Sequence, residues 1–200
     1  MKKLIKNSIY TQTIKKSVFI TNLIPVDSVD IAKNQLKEIK KKYYDATHNC
    51  YCYIITNEND GIKYSDDGEP SQTAGIVIYN VLEKNELTNI LAVVTRYYGG
   101  IKLGAGGLIR AYSSSTSEAL KIALIEDIID YHYYKIKTDY ETANTLIRYL
   151  ENYSLIEKKF QTKVSLIYKI NPSEKDDFLE QTISYSKGKA EVLLLKIANQ

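Results

Sequence analysis

The chain has 200 residues, 44% of them hydrophobic, and its 27 basic and 24 acidic side chains leave a formal net charge of +3. That length holds one large domain or two small ones with real cores, and the near-balance of charge excludes a strong global field; any nucleic-acid contact must come from a local patch. Cys50 and Cys52, the only cysteines, exclude a disulfide-built secreted framework, and no apolar run approaches the roughly 20 residues of a membrane span.

The basic opening, Met1 to Ser17, has neither a long apolar stretch nor a small-residue cleavage site. It does not read as a signal peptide, and the expected compartment is the cytoplasm. "KSVFITNLIPV" (Lys16 to Val26) reads as the opening strand, ended by Pro25. Asp27 or Ser28 can cap the next segment, where Val29, Ala32, Leu36, Ile39 and Tyr43 recur at helical spacing. Its polar face carries Lys33, Lys37, Lys40, Lys41 and Lys42, a pattern usual for a solvated surface. "NCYCYIIT" (Asn49 to Thr56) is strand-like, "NENDG" a turn, and "KYSDDGEPSQ" an aperiodic loop. A helix is expected from Ser71 or Thr73 to Asn85. "NILAVVTRYY" (Asn89 to Tyr98) is nearly continuous apolar, as in a strand covered on both faces. A glycine-rich turn follows, then a helix with Leu108, Tyr112, Ala119 and Ala123 inward.

The last 70 residues (131–200) change rhythm. "YHYYKIKTDY" reads as a strand, and "ETANTLIRYLENYS" as a helix with Leu146, Ile147 and Leu150 inside. "LIEKKFQTKVSLIYKI" fits one bent strand or a hairpin. "SEKDDFLEQTISYSKG" reads as a helix opened by Ser173, and "AEVLLLKIA" as a final strand. This is the split-βαβ order of a ferredoxin-like domain. The sequence therefore predicts an α+β protein of two domains, 1–130 and 131–200. With 18 Tyr, three Phe and no Trp, tyrosine is expected to do much of the packing.

Five of the nine glycines fall in "RYYGGIKLGAGGLIRAY", Arg96 to Tyr112. A strand that passes through glycines into a helix aims unpaired N–H groups outward, and a helix N-terminus favours anions. Gly104, Gly106 and Gly107 would remove Cβ atoms from the approach, while Arg96, Lys102 and Arg110 would add charge, so the corner suits a phosphate. Tight helix-on-sheet geometry explains the glycines equally well. The stretch lacks the Gly-Lys-Ser/Thr ending of a Walker loop, and Ile109 occupies the third glycine position of a dinucleotide fingerprint. Asp66, Asp67 and Glu69 in "SDDGEPSQTAG" could hold a divalent metal or act as an acid/base pair, but the favoured reading is a turn followed by a capped helix. His48 and Cys50 share a strand face without an identifiable orienting group, which argues against nucleophilic catalysis.

"SDDGEPSQTAG" (Ser65 to Gly75) followed by "VVTRYYGGIKLGAGGLIRAY" (Val93 to Tyr112) resembles the IMPACT/YigZ family, and "KSVFIT" and "DATHNC" precede them in the expected order. The likeness covers about the first 125 residues; the remainder is similar to the C-terminal domain of bacterial two-domain members. The resemblance implies a β-α N-terminal domain shared with a small-subunit ribosomal protein and the fourth domain of elongation factor G, and a C-terminal domain like that factor's last. It also implies importance for Asp66, Gly68, Glu69, Pro70, Thr73, Gly75, Arg96, Tyr97, Gly99, Gly100 and Tyr112, among others. The resemblance further implies that eukaryotic relatives restrain a starvation-response kinase with the help of an additional domain, so that role is not expected to transfer whole. Where the family continues Lys-Pro after "TAG", Ile76 and Val77 stand here.

The expectation is thus a non-catalytic protein that binds RNA or a ribosomal surface and modulates translation or a stress response. It needs no metal or cofactor and acts as a monomer off the membrane, with a protein partner in the translation machinery as a further possibility. Its anion-binding residues would be Arg96, Tyr97, Tyr98, Gly99, Gly100, Lys102, Gly104, Gly106, Gly107 and Arg110, with Tyr97 or Tyr98 stacking a base. The alternatives are an enzyme using the same corner with Asp66 and Glu69 on a phosphorylated small molecule, and a protein-docking module.

Overall fold

The computed structural model describes residues 1–56 and 58–199, and the chain divides into two compact units, Met1–Asp127 and Ile128–Gln200. The first unit opens with strands β1 (Lys2–Leu4), β2 (Ser8–Ile14) and β3 (Ser17–Pro25). Helix α1 (Val29–Lys42) leads to β4 (His48–Ile54) and β5 (Ile62–Ser65). Then come α2 (Gly75–Lys84), β6 (Ile90–Tyr97), α3 (Ala105–Lys121) and β7 (Ile125–Asp127). Five strands form one sheet in the order β2-β3-β6-β4-β5, while β1 and β7 pair separately.

Each pairing in the large sheet is antiparallel. An antiparallel sheet has no common carboxyl end of the kind where ligands gather in parallel sheets, so the position of the glycine turn after β6 is not by itself a binding signal. Strand β6 is covered on both faces, as its apolar run implies. Ile90, Ala92 and Val94 pack with Phe19, Leu23, Cys50 and Cys52 under α2 and α3. Leu91 and Val93 join Ile24, Tyr53 and Val29 under α1. Ser28 caps α1, its Oγ accepting from Ile31 N at 3.2 Å.

Three strands escaped the sequence reading and one was taken for loop. β1, β2 and β7 are short or half-exposed, and β5, expected to be loop, runs along the sheet edge with Ile62, Lys63 and Tyr64 exposed. β2 alternates half-buried with exposed positions, but Ser8 and Gln12 share its inner side with Tyr10 and Ile14, and β1, β5 and β7 are too short to show a period; pairing with β3, β4 or β1 makes them strands.

The second unit runs β8 (Asp130–Thr138), α4 (Tyr140–Tyr149), β9 (Ser154–Phe160), β10 (Val164–Ile170), α5 (Lys175–Ser186) and β11 (Glu191–Asn199). Its antiparallel sheet has the order β11-β8-β10-β9, the ferredoxin-like arrangement, and the ambiguous segment is a hairpin. Both helices lie on one face. Phe178 is fully buried there among Tyr134, Tyr153 and Tyr168, with ring centroids 5.6, 5.1 and 5.4 Å away, so tyrosine does supply the packing. Asp139 caps α4 by accepting from Thr142 N at 2.8 Å, and the hydrogen bonds from Thr142 hold its carboxyl below the ordinary aspartate range. The helix expected to open at Ser173 is instead preceded by a short 3-10 turn, capped by Asn171. Among the described residues no helix is long and apolar enough to cross a membrane.

Candidate functional site

The two long motifs meet in space at one carboxylate. Register places His48 on β4 and Phe19 on β3 on either side of Arg96 on β6, so the three form a row across the face beneath α3. Glu69 arrives from the "SDDGEP" loop. Its Oε1 accepts from Arg96 Nη1 at 2.6 Å and from the Tyr112 hydroxyl at 2.9 Å. The ion pair is nearly dry, with side-chain exposures of 6% for Arg96 and 3% for Glu69. Arg96 Nη2 also donates to Ser17 Oγ at 3.3 Å, and its guanidinium lies 5.5 Å from the ring centroids of both Phe19 and Tyr98. Arg96 Nε has no hydrogen-bond partner among the described residues.

Arg96 was expected to line an open anion site. Its guanidinium is instead an inward clamp, because a buried cation needs a partner and Glu69 supplies one. The neighbouring loop is just as closely tied down. Asp66 Oδ1 accepts from Ala74 N and Gly75 N at 2.9 and 2.8 Å, and Oδ2 from Gln72 N at 2.9 Å. Helix α2 is therefore capped from eight residues upstream of Ala74, not by Ser71 or Thr73 as expected. Thr73 turns back to Pro70 O at 2.6 Å. Asp67 Oδ1 receives Lys40 Nζ at 2.6 Å, and Oδ2 receives Asn49 N at 2.7 Å. Gly68 sits at φ +89°, and a Cβ on Gly75 would stand 2.6 Å from the Ser65 carbonyl carbon. So Asp66, Asp67 and Glu69 all hold structural partners, which removes support from their use as acid/base groups. Among the described residues no cluster of His, Cys, Asp and Glu could hold a metal.

His48 Nδ1 lies 2.9 Å from Asp67 O; a carbonyl only accepts, so Nδ1 carries the proton, and Nε2 faces Glu69 Oε2 at 3.8 Å. Cys50 Sγ, with its single S–H, lies 2.9 Å from Asp66 O, to which it donates, and 3.3 Å from the Tyr112 oxygen. Burial pushes the thiols of Cys50 and Cys52 up to about 12, and raises the Tyr112 phenol as well. Neither cysteine is a thiolate near neutrality. Both should resist a thiol-reactive disulfide reagent at pH 8 in the folded protein and react fully in denaturant. Fast labelling of the native chain would contradict the burial.

The glycine corner separates into parts. Tyr97 is half-buried, its hydroxyl donating to Asp45 at 2.8 Å, which leaves Tyr98 as the exposed aromatic. Gly99 packs on the β2–β3 turn, and its N–H donates to Ser17 Oγ at 3.2 Å. Gly100, Lys102, Gly104, Ala105, Gly106 and Arg110 are exposed. Gly104, at φ +71°, caps α3 with no side-chain acceptor, and the first turn has no acid. A Cβ on Gly106 would lie 3.6 Å from Arg110 Nη1, and one on Gly107 3.1 Å from Leu103 Cβ. Lys102 just before α3 and Arg110 in its second turn are thus exposed, whereas Arg96 is buried against Glu69. Ser17 and Asn49 were missed, and Lys40 was read only as part of a solvated face, because each acts through folding partners distant in the chain.

The Impact N-terminal domain family model matches residues 15–120. An IMPACT family member of Bacillus subtilis, YvyE, is 54% identical over 115 residues, which is 56% of this chain and 52% of that protein. An IMPACT family member of Haemophilus influenzae is 33% identical over 94% of each chain. A solved structure, described as a hypothetical protein, superposes with a TM-score of 0.62 at 28% identity, covering 98% of this chain and 97% of its own. With both motifs joined at Glu69, the family model matching residues 15–120 and a relative 33% identical over 94% of each chain, the chain belongs to the IMPACT family.

Proposed function

We propose that this IMPACT family member is an RNA-binding protein without catalytic function, which modulates translation by engaging RNA, including that of the ribosome, at the open start of α3. The observation that carries the reading is the arrangement there: Lys102, Gly104, Gly106 and Arg110 exposed around a helix N-terminus that has neither a side-chain cap nor an acid in its first turn. Unpaired N–H groups and the positive end of the helix dipole favour a phosphate, and the two cations add to that field. The exposed Tyr98, 46% accessible and four residues before Lys102, offers a stacking surface. The translation-side role implied by the resemblance agrees with it.

Binding of a fluorescent, folded RNA hairpin at rising salt tests this. Lys102→Ala with Arg110→Ala should lower affinity across sequences and reduce the slope of log K against log salt by about 1.5, near 0.7–0.9 per phosphate contact. Unchanged affinity and slope in that variant would remove the assignment.

A further inference from the structure

The ferredoxin-like unit has a face that its helices leave uncovered. Tyr134, Ile136, Val164, Leu166 and Phe178 share the buried side with α4 and α5. Successive side chains alternate, so Tyr131, Tyr133, Lys135 and Lys137 of β8 stand on the other side, and each is half-exposed. Two contacts confirm the shared face. Lys169 Nζ lies 3.9 Å from the Tyr131 ring centroid, and Lys196 Nζ 4.7 Å from that of Tyr133. Both tyrosines therefore lie flat enough to receive a cation, on a central strand of the sheet.

We propose that this face is a stacking platform for single-stranded RNA. An aromatic ring that accepts an ammonium on its π-face also accepts a nucleobase, and the side chain displaced is the one that can turn to the adjoining phosphate. Charge selects the occupant. Among the described residues, register places Lys135, Lys137, Lys159, Lys169 and Lys196 on this side, against the acids Glu157 and Glu191, and Glu157 is paired with Lys159. An acidic, unpaired strand with splayed bases complements tyrosines ringed by lysines, as four-stranded sheets with central aromatics do elsewhere. A duplex would hide the base faces that the tyrosines need. The site uses none of the residues at the α3 corner, and stands or falls apart from it.

The full-length chain should bind a fluorescein-labelled ten-residue oligouridylate, read by anisotropy at low salt. Tyr131→Ala with Tyr133→Ala should weaken binding by about tenfold or more, the usual loss for removing a base-stacking ring. Tyr131→Phe with Tyr133→Phe should keep affinity within about twofold, because the ring and not the hydroxyl carries stacking. Ultraviolet cross-linking should map to peptides containing Tyr131 or Tyr133. Lys102→Ala with Arg110→Ala should leave oligouridylate affinity intact, so loss of the hairpin and loss of the oligonucleotide report on different sites. The proposal is overturned if the wild-type chain leaves oligouridylate unbound, if the alanine pair binds normally, or if only the α3 substitutions abolish binding. Thermal melting of each variant excludes unfolding as the cause of a loss.

Discussion

Glu69→Ala is expected to destabilise the first unit by about 3–5 kcal/mol, the usual cost of leaving a buried charge without its partner. The substitution strands the Arg96 guanidinium, whose side chain is 6% exposed, and also removes the acceptor of the Tyr112 hydroxyl. A domain is typically stable by about 5–15 kcal/mol, so this is a large share of the total. Both cysteines lie in the first unit, and thiol labelling against urea concentration therefore follows that unit alone. Arg96→Met added to Glu69→Gln should recover much of the loss, because removing both charges together removes the desolvation cost. A single Glu69→Ala variant that unfolds within about 1 kcal/mol of wild type would show that the clamp is not what secures the loop.

Gly99→Ala should be nearly as damaging, with a loss on the order of 3 kcal/mol, the upper range for forcing atoms into a packed site. The new Cβ would stand 2.0 Å from the Lys16 carbonyl carbon and oxygen and 2.5 Å from Ser17 N. That backbone has little freedom to retreat. Lys15 and Lys16 already hold left-handed angles, φ 45° and 67°, and Ser17 Oγ accepts from the Gly99 N–H. Gly106→Ala makes the contrast. Its Cβ would meet only the end of the Arg110 side chain at 3.6 Å, and alanine favours a helix over glycine by up to about 1 kcal/mol. It should therefore leave the urea midpoint unchanged or raised, while obstructing a phosphate at the start of α3. Equal losses in the two variants would mean that the glycines share one structural duty.

The two experiments divide the motifs by role. The Glu69–Arg96–Tyr112 group orders a loop and a helix against the sheet, whereas the residues left for a ligand are those that group does not hold. Stability measurements address the first set. Salt-dependent binding addresses the second.

Where a segment's own pattern meets a buried face, the sequence by itself was sufficient. The continuous apolar run of β6, the helical spacing of α1 and the strand–helix order of the second unit follow from periodicity, because burial on one side or both imprints it locally. Tertiary structure alone decided the fate of Arg96. β6 is covered on both faces, so alternation along it carries no outward direction, and a cation at its end looks the same whether it meets solvent or Glu69, 27 positions away. The remote capping of α2 by Asp66 was hidden likewise, since a carboxylate near a helix start is compatible with several nearer caps. The edge strands lay beyond sequence reading for the opposite reason: a half-exposed strand takes its identity from hydrogen bonds to a neighbour, and those exist only once the chain has folded.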